Sequence, residues 1–469
     1  MNIILVVNGQ HTETKVMLLE YGIKARSSGH KVMMLDFSEA ARDFSTKRIT
    51  RLRESFFYRD RLKSIMPNIC QEFGIEYFKS HFAKQSLSLA ERPEKFRHVF
   101  YSLVSSTLAF VSGDRYTDYE KLPRQQQKML YETFASVYDQ VKLFSDSKKE
   151  VTIVTLNGRF LIDGAAVYSA KSNSVEYILL ERPGFKLGRY VEFKESPHSV
   201  LELRALQDTH WSNYGPERDS KAKEGLQKKM EAPLDNLTSW RTDFITEIAL
   251  ETKTDAKNLI FFPTTDLEIP SYKYWEDIAT FKSDQVLAFR ELAHVAKRYG
   301  YKVFVRVHPP GPRGRNITDG EDARWQKIAE EVGAEVFLSR SGADSYALMR
   351  DATLVATYRS SIGVEAILMK KPTLILDETN YSHYIPECCA FSSESIELYF
   401  EKGLQLVPPE RLYPWGLFFV SGGKAFEIFD VDDADEIRFR NIKLSEQKKI
   451  GKVIKHLRAW ALKHFKHMK

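Results

Sequence analysis

Two adjacent serines, Ser360 and Ser361, lie in a polar turn (Tyr358-Arg359-Ser360-Ser361) between an apolar run ending at Thr357 and a helical pattern opening at Ile362-Gly363. A helix starting there aims unpaired backbone N–H groups and two hydroxyls past the carboxyl end of a strand, an arrangement that neutralises a phosphate. Earlier in the chain, His308-Pro309-Pro310 closes the apolar run Lys302 to Val307, so an imidazole able to exchange a proton near neutral pH also stands at a strand end. Thr264, Thr265 and Asp266 follow the run Asn258 to Pro263 and bring hydroxyls and a carboxylate to the same side of the sheet. Each group has a plainer reading: one serine as a helix N-cap, His308 as a satisfied surface or core residue, and the Thr-Thr-Asp loop as turn chemistry.

The elements that must position these groups read as parallel α/β structure. From Asp344 to Asp377 the pattern predicts a helix (Ser345 to Arg350), a strand (Ala352 to Thr357), a second helix (Ile362 to Lys370) and a second strand (Pro372 to Leu376). Short β-branched runs separated by helices are the mark of a parallel sheet covered on both faces. The chain also opens as βαβ: strand Asn2 to Val7, helix Glu13 to Ser28 stopped by Gly29, strand Lys31 to Asp36. It lacks GxGxxG after the first strand, which argues against a plain NAD enzyme. Residues 38–147 read as a helical insertion. The sheet pattern returns at Val151 to Leu156, a helix near Gly164 to Lys171, and Val175 to Leu180. We therefore expect two Rossmann-like, doubly wound α/β domains facing across a cleft. Residues 1–254 form the first, with the insertion and closing helices, 255–445 the second, and 446–469 a basic terminal helix.

At 469 residues, 43% hydrophobic and 12% aromatic, the chain has enough apolar surface for two cores, which excludes extended disorder. The formal charge of +6 is unevenly spread. Lys448 to Lys469 contains no acid and interleaves lysines with Ile450, Val453, Leu457, Trp460 and Phe465, and Arg42 to Lys63 is similarly basic. These segments read either as packed helices with a solvated face or as contacts to an anionic membrane surface; no recognition motif points to nucleic acid. No apolar run spans a bilayer, and the opening Met1 to Gln10 has no basic flank and no small-residue cleavage site, so the expected location is cytoplasmic, with peripheral contact at the inner face of the cytoplasmic membrane as the second reading. Cys70, Cys388 and Cys389 read as reduced thiols. Without HExxH or clustered histidines, we expect no metal and no cofactor.

Arg306-Val307-His308-Pro309 at one strand end, then Tyr358-Arg359-Ser360-Ser361-Ile362-Gly363-Val364-Glu365-Ala366 and Lys371-Pro372 at the next, resemble bacterial capsule and surface polysaccharide glycosyltransferases of the GT-B fold. The HP and SS pair resembles the motifs of sialyl- and Kdo-transferases, which use CMP-activated sugars. The resemblance covers about Asn258 to Tyr384. It implies a metal-independent, inverting transfer from a nucleotide-sugar donor, CMP-linked by preference, to a glycan or lipid-linked acceptor. It implies donor contacts from Thr264, Thr265, Asp266, Pro309, Arg359, Ser360 and Ser361, ribose binding by Glu365, and a supporting Arg306 paired with an acid. His308 would donate to the donor phosphate or departing oxygen. In sialyltransferases the base belongs to an acidic pair followed by glycine; Ile162-Asp163-Gly164 keeps one acid, making Asp163 the catalytic candidate, with Glu13, His11 and Asp114 as rivals. Asp163 also reads as the N-cap of the helix near Gly164. Three alternatives stay open: a polyol-phosphate transferase, for which Arg313 and Arg315 would supply charge, a nucleotide-sugar epimerase, and a non-catalytic glycan- or membrane-surface-binding protein.

Overall fold

The computed structural model describes residues 1–8, 12–38, 58–80, 87–112, 118–184, 187–237, 257–264, 284–309, 319–432 and 436–447. Of these, Met1–Thr107, Asp118–Pro197 and the residues from Gly422 form one compact unit, and Leu108–Ser112 with His198–Ser421 form another.

The first unit contains β1 (Asn2–Val7), α1 (Thr12–Ser27), β2 (Lys31–Asp36), α2 (Arg61–Glu72), β3 (Glu76–Lys79), α3 (Glu94–Ser112, its end grouped with the other unit), α4 (Arg124–Asp146), β4 (Val151–Leu156), α5 (Leu161–Ser172), β5 (Glu176–Glu181) and β6 (Arg189–Phe193). Its sheet runs β3-β2-β1-β4-β5 in parallel, then β6 antiparallel, and ends on the short strand Lys424–Ala425. Buried on both faces, β1 and β2 are almost wholly apolar, as parallel strands must be. Strand β3 lies inside the expected helical insertion and is the sheet's edge. Its sequence, Glu-Tyr-Phe-Lys, is half exposed and too short and polar to announce a buried strand. Among the described residues of this stretch α2, α3 and α4 are helical, and α3 packs on α4 with Phe96 edge-on to Phe134, ring centroids 4.9 Å apart.

The second unit contains α6 (Val200–Asn213), α7 (Arg218–Leu237), β7 (Lys257–Phe262), α8 (Gln285–Arg298), β8 (Tyr301–Arg306), α9 (Asp319–Val332), β9 (Glu335–Phe337), α10 (Ser345–Asp351), β10 (Leu354–Thr357), α11 (Ile362–Leu368), β11 (Thr373–Ile375), α12 (Ser393–Glu401) and α13 (Tyr413–Ser421). Its five strands run β9-β8-β7-β10-β11, all parallel. Phe261, Phe289 and Trp325 pack between sheet and helices, Phe261 stacked on Phe289 with centroids 5.0 Å apart and Trp325 edge-on to Phe289.

Both sheets thus share one order, third-second-first-fourth-fifth by position in the chain, which is the doubly wound Rossmann arrangement. The domain boundary differs from the sequence expectation. Helices α6 and α7 belong to the second unit, where Leu226 packs with Val364, Ile367 and Trp415. A Cβ on Gly225 would strike the Gly416 carbonyl, and one on Gly416 would meet the Ala222 oxygen at 2.8 Å, so these glycines let α7 and α13 cross in near-backbone contact. At the other end, residues from Gly422 return to the first unit: Phe429, Ile437, Phe439 and Leu444 join its core. Buried Glu20 holds this return by accepting from the backbone N–H of Glu427 at 2.8 Å and of Ile428 at 3.0 Å. No helix among the described residues is long and apolar enough to cross a membrane.

Candidate functional site

In the second unit the strand order reverses between β7 and β10, and in open α/β sheets ligands bind beyond the carboxyl ends of the strands flanking such a reversal. Thr264 follows β7, His308 and Pro309 follow β8, Tyr358 to Ser361 follow β10, and Asp377 follows β11. The residues singled out in the sequence therefore arrive at one end of one sheet. Thr265 and Asp266, like Arg313 and Arg315, lie outside the described residues.

Thr264 is buried, and its N–H donates to Gln285 Oε1 at 3.1 Å, tying the loop to the start of α8. His308 is exposed, with Nδ1 2.8 Å from the Pro309 carbonyl oxygen. A carbonyl only accepts, so Nδ1 carries the hydrogen and Nε2 is the nitrogen that takes or gives a proton. Arg306 is buried and donates to the carbonyls of Leu338 at 2.6 Å and Ala343 at 3.0 Å. Through these carbonyls Arg306 pins the segment after β9 to β8.

Arg359 takes a positive φ of 48° and sends its side chain inward, Nε 2.6 Å from Asp377 Oδ2. Burial pushes the Asp377 carboxyl above its ordinary range, against the lowering effect of the Arg359 guanidinium. Ser360 Oγ accepts from the Ile362 N–H at 3.3 Å, and its carbonyl accepts from the Tyr381 hydroxyl at 2.6 Å. Gly363 makes room for this: a Cβ there would collide with that hydroxyl and with Ile375. Ser361 is exposed and makes no cap bond, and its Oγ accepts from Lys229 Nζ at 3.1 Å. Glu365 is 5% exposed, pairs with Lys229 at 2.7 Å and accepts from the Tyr346 hydroxyl at 2.9 Å.

In the first unit the reversal lies between β1 and β4, with Asn8 after β1 and Asn157-Gly158 after β4. Asn157 and Gly158 turn back with φ of 34° and 78°, and Asn157 Nδ2 donates to Glu181 Oε2 at 2.5 Å. Asp163 sits beneath this end with no exposed surface; its Oδ1 accepts from Thr155 Oγ1 at 3.0 Å and its Oδ2 from Asn8 Nδ2. Burial pushes its pKa up to about 7, against those two hydrogen bonds. The N-cap reading of Asp163 is corrected: α5 starts at Leu161 with Phe160 as its cap residue, which puts Asp163 inside the first turn. As a catalytic residue it stands behind Asn8 rather than at a surface that an acceptor touches. Glu13 is half-buried on the first turn of α1, 3.1 Å from Arg182 Nε. His11 and Asp114 lie outside the described residues.

Sequence reading missed Lys229, because a lysine in a lysine-rich helix carries no signal of burial. It also missed Asn8, although a polar residue directly after an apolar first strand marks a switch point. The run Asp430 to Asp435 twice carries the DxD spacing of metal-dependent transferases, in Asp430-Val431-Asp432 and Asp433-Ala434-Asp435. Of its described members, Asp432 accepts from the Glu436 N–H at 2.9 Å and pairs with Arg438 at 3.3 Å, which is turn chemistry. No group of three or more His, Cys, Asp or Glu among the described residues is placed to hold a metal ion.

No protein-family model matches the chain, and no curated protein matches it in sequence. Among solved structures it is similar to KpsC of Thermosulfurimonas dismutans, a beta Kdo 2,4 transferase, with 13% identity, 57% of this chain and 79% of that one covered, and a TM-score of 0.36. A glycosyltransferase from Rickettsia africae is similar at 11% identity over 90% of this chain and 94% of its own, with a TM-score of 0.28. MurG of Acinetobacter baumannii is similar at 8% identity over 97% and 99%, with a TM-score of 0.25. These superpositions are loose, and the fold assignment rests on the strand orders of the two sheets.

Proposed function

We propose that this protein is a glycosyltransferase that moves a sugar from a nucleotide-activated donor, CMP-linked by preference, to a surface-glycan or lipid-linked acceptor, with inversion and without a metal ion. The observation that carries this reading is the convergence of Thr264, His308-Pro309 and the Ser360-Ser361 turn on the carboxyl ends of β7, β8 and β10, around the reversal of one Rossmann sheet. In the proposed reaction the acceptor oxygen bonds to the anomeric carbon as the carbon–oxygen bond to the donor phosphate breaks. The nucleotide leaves with that oxygen, and the acceptor proton passes to a carboxylate. Glu13 takes this proton in our reading, since it reaches the surface, while Asp163 holds Asn8. His308, oriented through Nδ1, donates from Nε2 to the departing phosphate, and the Ser360-Ser361 turn holds that phosphate. Buried against Asp377, Arg359 shapes the turn.

Calorimetry of the full chain with CMP, CDP, UDP and GDP tests the donor assignment. Saturable binding with CMP tightest is expected; a folded protein that binds none of the four would sink the reading. The segment Lys448 to Lys469 lies outside the described residues, and we propose that it brings the enzyme to an anionic membrane surface where a lipid-linked acceptor resides. Each basic residue near such a surface contributes about 1 kcal/mol, weakened by salt. Co-sedimentation with anionic vesicles should therefore be strong and salt-sensitive for the full chain and lost on truncation before Lys448. Equal binding of both forms would overturn it.

A further inference from the structure

Helix α7 sends a lysine to the Ser360-Ser361 turn from far away in sequence. Lys229 is 4% exposed, with Nζ 2.7 Å from Glu365 Oε1 and 3.1 Å from Ser361 Oγ. The second oxygen of Glu365 accepts from the Tyr346 hydroxyl at 2.9 Å, so three helices, α7, α10 and α11, close one buried polar relay behind the turn. Both Glu365 oxygens are thereby committed inside the fold, which sets this carboxylate to hold the lysine rather than to receive ribose hydroxyls.

The two serines are not equivalent in this arrangement. Ser360 Oγ accepts from the Ile362 N–H, at 3.3 Å, and so does the capping work. Ser361 makes no cap bond and is exposed. An ammonium only donates, so Ser361 Oγ must be the acceptor in its bond with Lys229, and the hydroxyl's single hydrogen is left to donate elsewhere. With Lys229 behind it and Ser361 exposed, that hydrogen is available to a partner on the solvent side of the turn.

We propose that Lys229 is a positioning residue of the donor site: it holds the Ser361 hydroxyl as a hydrogen-bond donor to the phosphate of the nucleotide-activated sugar. Its charge is matched by Glu365, so it acts by orienting Ser361 rather than by attracting the anion. This inference rests on the nucleotide-sugar reading above.

The test is calorimetric titration of the full chain with CMP, for the wild type, Ser361→Ala, Lys229→Met, Lys229→Gln and the Ser361→Ala/Lys229→Met double variant. Losing one hydrogen bond to a charged phosphate weakens binding by roughly tenfold or more, so Ser361→Ala and Lys229→Met are each expected to lose about that much. The double variant should lose no more than the worse single variant, because both changes remove the same bond. Lys229→Gln, whose amide still donates to Ser361, should recover part of the loss that Lys229→Met suffers. If the wild type binds no nucleotide, the glycosyltransferase reading falls and takes this inference with it. If the wild type binds while Ser361→Ala binds as tightly, or the two single losses multiply in the double variant, the role of Lys229 alone is overturned. Ser361 is at the surface, so an undiminished Ser361→Ala overturns the role even if Lys229→Met does not fold, and Lys229→Gln, which keeps a donor beside Glu365, then reads the lysine's part: it should bind more weakly than wild type, and binding equal to wild type with Ser361→Ala weakened would assign the effect to Ser361 alone.

Discussion

His308→Ala is expected to lower kcat for sugar transfer by roughly 10²–10⁴-fold, the usual contribution of a positioned acid–base group, while weakening CMP binding by no more than about tenfold. The split follows from where the ring stands. His308 is exposed at the end of β8, and the Pro309 carbonyl, 2.8 Å from Nδ1, fixes which nitrogen is presented. A proton held at Nε2 matters most when the bond to the phosphate breaks and negative charge collects on the departing oxygen; in the ground state that oxygen is shared with the sugar and is a poorer acceptor. The loss therefore falls on kcat, and the donor KM moves little. His308→Gln keeps a polar side chain without a transferable proton and should track alanine rather than wild type. Release of CMP in the presence of acceptor, followed across pH, provides the measurement. A proton given from Nε2 leaves an alkaline limb in the wild-type kcat profile, and that limb should be absent in both variants. A His308→Ala enzyme with unchanged kcat and a raised donor KM would make His308 a binding residue and remove it from the chemistry.

How far the sequence carried this picture depended on the kind of signal each residue gives. The strands of both sheets were legible because β1, β2, β7, β8 and β10 are short apolar runs bounded by turns, and burial on both faces forces that composition. The same logic places His308, Thr264 and Ser360-Ser361 at strand ends from the sequence alone. Strand β3 was illegible for the converse reason: at the edge of the sheet it needs little apolar surface, so Glu76 and Lys79 hid it inside a helical stretch. The boundary at His198 was hidden too, because α6 and α7 bury little, and their membership turns on Leu226 and on Gly225 against Gly416, contacts with elements late in the chain. Side-chain partners were the least legible of all. Arg306, Arg359 and Glu365 were each recognised as site residues, yet nothing in their neighbourhood in sequence named the Leu338 carbonyl, Asp377 or Lys229 as partners. Tertiary pairing over such separations has no local pattern to read.

Asp163→Asn is expected to flatten the pH dependence of stability, and the sign can be worked out from its surroundings. Burial pushes the Asp163 pKa up to about 7 from the ordinary 3.8, so between those values the folded state keeps a proton that the unfolded chain has released. Stability from this group is fully present below about pH 4 and is lost as pH rises through about 7. About three pKa units correspond to a change on the order of 4 kcal/mol. The two hydrogen bonds that Asp163 accepts favour its ionised form, and one change of the Asn8 amide suits the protonated one. Asn8 Oδ1 is buried without a partner while Asn8 Nδ2 faces Asp163, and turning that amide over presents its oxygen to an Asp163 O–H. Asparagine at 163 imitates the protonated acid, its N–H taking the place of the O–H, so the variant should fold and keep Asn8 in place. Urea unfolding from pH 5 to pH 8 should show wild type losing stability with rising pH relative to Asp163→Asn; a constant difference between the two across that range would mean Asp163 is ionised throughout. The same variant settles its part in the proposed reaction. A residue that only holds Asn8 tolerates the amide, and Glu13→Gln then carries the roughly 10²–10⁴-fold loss expected on removing the proton acceptor. If the large loss falls on Asp163→Asn and spares Glu13→Gln, Asp163 is itself the base, and Asn8 must move aside to let the acceptor reach it.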